Sequence, residues 1–257
     1  MTHRPSQPAA GPFRYAWLLR LSVAAILVLA PRIAVARHHH SHDGQAGLFD
    51  YYLFSLSLAP SFCALSPSNQ AKSECRALTD AAYRQTPLTV HGLWPNVTGL
   101  SANRQPQHCA GPPLAAMPDD LQGRLQLYMP GGPGLAEHEW ERHGSCSGLS
   151  PAAYFGAVVR LAQSADAVIG AAIQDHGLFG HQVQVAVLLA DVAAKNPALA
   201  RAMIVGCRFP RGGGGSQGAL IDEIRIVLSK DFTPMPAADV GLPQMSGCPQ
   251  GGGFIPG

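Results

Sequence analysis

The stretch HEWERHGSC, His138–Cys146, packs two histidines, two glutamates, an arginine and a cysteine into nine residues. Imidazoles beside a carboxylate can hold a metal ion or move protons, and spacing separates the two. A zinc helix of the HExxH type needs ligands four apart, on one helical face. Here His138 and His143 are five apart, which at ~100° per residue offsets them by about 140°. The pairs that share a face are Glu139 with His143 and His138 with Arg142. A carboxylate–imidazole row beside an imidazole–guanidinium row suits a phosphate that must be gripped, deprotonated against and neutralised. It argues against a zinc hydrolase, the rival that a chelator would inhibit.

Cutting RNA without a metal needs a base for the 2′-hydroxyl, an acid for the departing 5′-oxygen, and cations around the phosphorane. Two imidazoles near neutrality match the first two tasks. One helix cannot place both on opposite sides of a phosphorus, so the partner must come from elsewhere. The candidate is His91 in VHGLWP, beside Trp94, whose indole offers a stacking face for a base.

The surrounding pattern supplies the elements that must position these groups. Phe49–Cys63 is aromatic-rich and alternating, and predicts a buried strand ending at Pro60. Thr86–Pro95 predicts a strand with His91 at its end. A loop rich in proline and glycine runs through Pro112, Pro113 and Pro130 to Pro133. His138–His143 predicts a short helix capped by Gly144. Ser150-Pro151 is a helix start, and Tyr154, Phe155, Val158, Leu161, Ala162, Ala165, Val168 and Ile169 recur at helical spacing. VQVAVLLADVAAKNPALA suggests another helix that stops before Pro197. Leu220–Phe232 alternates like an antiparallel strand, and Gly212–Gly215 reads as a hairpin or flexible loop. Without a repeat or internal linker, an α+β domain with a central antiparallel β-sheet flanked by helices is the simplest reading.

Composition agrees with a folded chain: 47% of the 257 residues are hydrophobic and 13% charged. Arg14 and Arg20 precede the apolar run Leu21–Ala30, and Ala34-Val35-Ala36 offers a signal-cleavage site after Ala36. Residues 1–36 therefore read as a secretory signal too short for a membrane anchor, and residues 37–47, with RHHHSHD, as a flexible histidine-rich leader. Losing Arg4, Arg14, Arg20 and Arg32 turns the formal +2 into −2. Nucleic-acid affinity must then come from a local site rather than a global field. Six cysteines in an exported chain, Cys63, Cys75, Cys109, Cys146, Cys207 and Cys248, read as three disulfides. Trp140 reads as core, and His108, His176 and His181 as surface residues. Asn96 opens a glycosylation sequon whose position beside His91 marks it as coincidental.

HGLWPN (His91–Asn96) together with HEWERHGSC resembles the two active-site signatures of the ribonuclease T2 family, the secreted acid endoribonucleases, in its bacterial periplasmic form. FDYYLFSLSLAPSFC, LQLYMPGG and EIRIVLSKDF resemble that family's first strand, lead-in segment and closing strands, so the likeness covers roughly residues 48–250. It implies that residues 48–257 form one disulfide-stapled catalytic domain pairing Cys63 with Cys75, Cys109 with Cys146, and Cys207 with Cys248. It implies His143 as general base, His91 as general acid, Glu139 as the group that orients the imidazole, His138 as phosphate ligand and Trp94 at a base subsite. Arg142 stands where the family usually has lysine. It keeps the charge and can grip phosphate bidentately, which implies a modestly slower enzyme. The implied activity is a monomeric, periplasmic or secreted endoribonuclease without cofactor or metal. It would cut single-stranded RNA with little base preference, leave 2′,3′-cyclic phosphates and then 3′-phosphates, and spare DNA. A catalytically silent RNA-binding relative is the alternative.

Overall fold

The computed structural model describes residues 44–78, 80–114, 117–211 and 218–257. The signal segment, the histidine-rich tract at residues 37–43 and the Gly212–Gly215 loop lie outside these residues. At the described end of the leader, the Gly47 amide donates to the Cys146 carbonyl at 2.9 Å.

Strands β1 (Tyr51–Leu58), β2 (Leu88–Asn96), β4 (Met203–Arg208), β5 (Leu220–Leu228) and β6 (Met245–Ser246) lie in the order β2-β1-β5-β4-β6. A ribbon of β3 (His181–Gln184) and β7 (Gly252–Ile255) joins the same sheet through β5. The long pairings are antiparallel, as expected, and the short β4–β6 and β5–β7 pairings are parallel. One face carries Tyr52, Phe54, Leu56, Val90, Leu93, Ile224 and Ile226, packed on the helices in the main core. Because side chains alternate along a strand, Tyr51, Leu53, Ile204 and Val227 occupy the other face, in a smaller cluster with Trp94 at its border.

The helix that closes the main core runs Pro151–Ala165, with the Ser150 hydroxyl accepting from Ala153 N–H as its cap. Tyr154, Phe155, Val158 and Ala162 are buried along it, as the spacing predicts. Tyr154 Oη donates to the Leu93 carbonyl at 2.7 Å and so pins β2, the edge strand, from inside. An edge position is what makes Pro95 tolerable within β2.

Several elements differ from the sequence-based expectation. The first strand stops at Leu58, because Pro60 opens a short helix, Ala59–Ala64, instead of a turn. The proline-rich loop contains a helix, Asp119–Tyr128, with two aspartates in its first turn and Leu121 and Leu125 buried four apart. The helix suggested after Gln182 is divided: β3 supplies its first residues, Val185–Lys195 is helical, and Asn196 caps a second helix, Pro197–Ala202. Gly144 is not a left-handed cap. It begins a 3-10 turn, Gly144–Ser147, and Gly148 takes the positive φ of 75°. Gly144 is needed for space instead, since a Cβ there would sit 2.6 Å from the Trp140 ring and 3.1 Å from Tyr154.

All three disulfides form in the pairing the resemblance implied: Cys63–Cys75, Cys109–Cys146 and Cys207–Cys248.

Candidate active site

His91 is not at the end of its strand but in the middle of β2, at a β-bulge. Ser55 pairs with Gly92 and Leu56 with Val90, so His91 has no partner opposite it. The bulge has a consequence for the side chains. Residues 91 and 94 are three apart and would face opposite sides of a regular strand. The extra residue shifts the alternation, so Val90 and Leu93 enter the main core while Trp94 borders the opposite cluster, the side on which His91 meets its partners.

The second signature lies on the helix Pro133–Arg142, which starts with Pro133 in its first turn after Gly132, at a φ of 77°. Ala136, Glu139 and Trp140 form its buried face. Trp140 Nε1 donates to the Pro112 carbonyl at 3.0 Å, which fixes that face against the preceding loop. Glu139 is 2% exposed, whereas His138 is open to solvent; the regular helix ends at Arg142, and His143 follows it at a φ of −124°. His143 ends the helix, with its amide donating to the Glu139 carbonyl at 3.0 Å. Three residues later Cys146 is tied to Cys109, and between them the His108 amide donates to the Arg142 carbonyl at 2.9 Å.

Trp94 joins the two signatures. Its ring centroid is 5.1 Å from that of His91 and 5.3 Å from that of His143. Both imidazoles therefore border one indole. Trp94 Nε1 donates to Glu139 Oε2 at 2.8 Å, so the buried carboxylate holds the indole in place. Gly92 is what lets them meet, because a Cβ there would overlap both Glu139 Oε2 and Trp94 Nε1. The half-buried indole is thus committed along its Nε1 edge, and any base must meet its remaining open surface. Arg142 is anchored by Nε, which donates to Gln107 Oε1 at 3.1 Å; among the described residues nothing engages its two terminal nitrogens. Asn96 is 5% exposed, and its amide donates to the Trp94 carbonyl at 3.1 Å, which leaves no room for a glycan.

The two imidazoles sit in opposite fields. Burial lowers the pKa of His91, but the close Glu223 contact and the charges of Glu139 and Glu223 outweigh it and the opposing Arg208, leaving a net rise. His143 is lowered to about 3, first by burial and then by the positive charges of Arg142, His138, His91 and His108. Burial raises Glu139, against the Trp94 hydrogen bond and the nearby His91, His138 and Arg142. Among the described residues, no three His, Cys, Asp or Glu side chains are grouped to hold a metal ion.

Three contributors escape a reading of the motifs. Gly92 lies inside the first signature, but its need for contact space shows only in three dimensions. Gln107 is an unremarkable loop polar residue. Glu223 on β5 places Oε1 at 3.7 Å from His91 Nδ1, and nothing in the sequence sets it apart from Asp222 and Arg225 on the same strand.

A buried carboxylate, an indole beside two imidazoles and an anchored guanidinium are thus gathered on a disulfide-stapled α+β fold. The chain belongs to the Ribonuclease T2 family, which it matches over residues 49–235. It is 32% identical over 147 residues to Ribonuclease I of Escherichia coli, covering 46% of this chain and 55% of that protein. It is 36% identical over 108 residues to a ribonuclease of Aeromonas hydrophila, covering 42% of each. The chain thus matches about half the length of these relatives. Among solved structures, ribonuclease MC1 from bitter gourd seeds superposes with a TM-score of 0.60 at 21% identity, covering 80% of this chain and 100% of that one. An RNase-related protein from Calystegia sepium gives 0.56 at 18%, covering 81% and 97%. Both likenesses are to the fold.

Proposed function

We propose that this chain is an endoribonuclease that cuts single-stranded RNA by metal-independent transphosphorylation, with little base preference. The observation that carries the reading is the pair of imidazoles set against one indole in opposite electrostatic fields. Environments that push two titratable groups apart assign the acid and the base. Neutral His143 takes the 2′-hydroxyl proton, and the 2′-oxygen attacks phosphorus. Arg142 and His138 face the charge that builds on the non-bridging oxygens. His91, protonated, gives its proton to the departing 5′-oxygen. The products are a 2′,3′-cyclic phosphate and a 5′-hydroxyl. Slow hydrolysis to the 3′-phosphate follows when the two histidines exchange roles. Glu139 acts by holding Trp94, and Trp94 offers its open surface to a base. DNA, lacking the nucleophile, is spared.

The disulfides support export to an oxidising compartment, and with it the reading of residues 1–36 as a removed signal and residues 48–257 as one monomeric catalytic domain, periplasmic or secreted. The test is digestion of RNA and single-stranded DNA in excess EDTA, with the fragment ends identified. RNA cut to cyclic phosphate and 5′-hydroxyl ends, with DNA intact, supports the reading. Equal degradation by wild type, His91→Phe and His143→Phe rejects it.

A further inference from the structure

We propose that Glu223 is a positioning residue for His91, holding the ring by Nδ1 so that Nε2 delivers the proton to the departing oxygen. This rests on His91 being the proton donor in the reaction above. Glu223 stands on β5, two strands from β2, and Ser55 of β1 lies between them in the sheet. A small residue at position 55 leaves the space through which the two side chains meet. Ser55 Oγ donates to Glu223 Oε1 at 2.6 Å, the oxygen that also faces His91 Nδ1 at 3.7 Å. The other oxygen, Oε2, faces Arg225 Nε at 3.3 Å. The carboxylate is therefore held from two sides and directed at the imidazole from a third.

The distance to His91 is longer than a hydrogen bond, a common state for catalytic contacts that tighten only with substrate. The strand itself is adapted to this arrangement. Gly206 pairs with Glu223 and Cys207 with Ile221, which leaves Asp222 as a bulge residue. Asp222 accepts from Arg208 Nε at 2.6 Å, which occupies that guanidinium beside the site. The charged groups facing His91 are thus Glu223 and the Arg225 behind it on β5, Arg208 on β4, and Glu139 and His143 from the helix side. The acids prevail, and the carboxylate of Glu223 is itself depressed to about 2, so it stays charged throughout the acidic range. A carboxylate on the far nitrogen of a catalytic imidazole fixes its tautomer and favours the imidazolium.

Glu223→Gln keeps the shape and an acceptor for Ser55 while removing the charge. The experiment follows the His91 ring signals by NMR as a function of pH, and the pH dependence of kcat/KM on a dinucleotide, in wild type, Glu223→Gln and Glu223→Asp. His91 is expected to titrate at lower pH in Glu223→Gln, and the alkaline limb of kcat/KM to move acidward with it. The accompanying loss at neutral pH is roughly tenfold, short of the 10²–10⁴ that a general acid supplies. Glu223→Asp falls between, and carries the test alone if the glutamine variant does not fold. An unchanged His91 titration overturns the proposal, whatever proton donor the enzyme uses. A lowered titration with an unmoved alkaline limb also overturns it, and locates the failure in the donor role of His91 rather than in the pairing.

Discussion

The residues of the site constrain one another at contact distance. Glu139, Trp94 and Gly92 form a closed unit in which the carboxylate and the indole use the space a side chain at position 92 would fill. Gly92→Ala should displace Trp94 from its place beside both imidazoles and cost roughly 1–3 kcal/mol as an overpacked substitution. Activity should fall by more than the loss of folded protein explains, measured as kcat beside a thermal melt; full activity at unchanged Tm would refute the closed unit. Arg142→Gln removes the guanidinium that we propose faces the phosphate and should reduce kcat/KM by roughly 10²-fold, with the stability nearly kept. The sequence made His91, Glu139, Arg142 and His143 legible through residue type and spacing alone. Gly92 and Gln107 were not, because their contributions are contacts across the chain and leave no periodic trace.

The elements explain why signatures 47 residues apart at their first histidines come together at Trp94. A bulge turns His91 and Trp94 to the same side of β2, a shift that alternation in the sequence cannot show. The same blindness applies to Asp119–Tyr128, where Gly123 and flanking prolines obscured two buried leucines at helical spacing. By contrast, the start and buried face of the Pro151–Ala165 helix were legible from its cap and apolar stripe, although the stripe read through Val168 and Ile169 runs into a π-helical turn, Asp166–Gly170. The Cys109–Cys146 disulfide holds the turn directly after His143 against the loop carrying Gln107 and His108. Replacing both cysteines with serine should cost about 2–5 kcal/mol and disable catalysis. Removing Cys63–Cys75, which joins two short helices, should lower the Tm while folded protein keeps its activity. Equal loss of specific activity from both pairs would contradict this division.

At the scale of the whole molecule, pH acts on both stability and activity. His143 is lowered to about 3 and Glu223 to about 2, so at these two groups the unfolded chain binds more protons than the folded one in acid, whereas burial raises Asp166 to about 6 and raises Glu139 and Asp222, which work the other way. The stability due to His143 is present above pH ~6.5 and is lost as pH falls toward its folded value; that due to Glu223 is lost below pH ~4.3. His91, raised in the fold, works the other way and loses its contribution as pH rises through its folded value. The His143 contribution is checked by thermal melts of wild type and His143→Phe: the wild type should lose more Tm than the variant between pH 7 and 3, and equal losses would contradict the shift. Activity should favour acid, because the base remains neutral there, the donor remains protonated, and ten histidines outside the signal segment add charge toward a polyanion. An optimum above pH 8 would be incompatible. The most direct test of the acid–base assignment compares His91→Ala and His143→Ala on an RNA dinucleotide and on a nucleoside 3′-(4-nitrophenyl) phosphate, whose leaving group departs without a proton. His91→Ala should regain most of its activity on the nitrophenyl ester while His143→Ala stays impaired on both substrates. If the two variants are equally impaired on the activated ester, the assignment of donor and base to these residues is wrong.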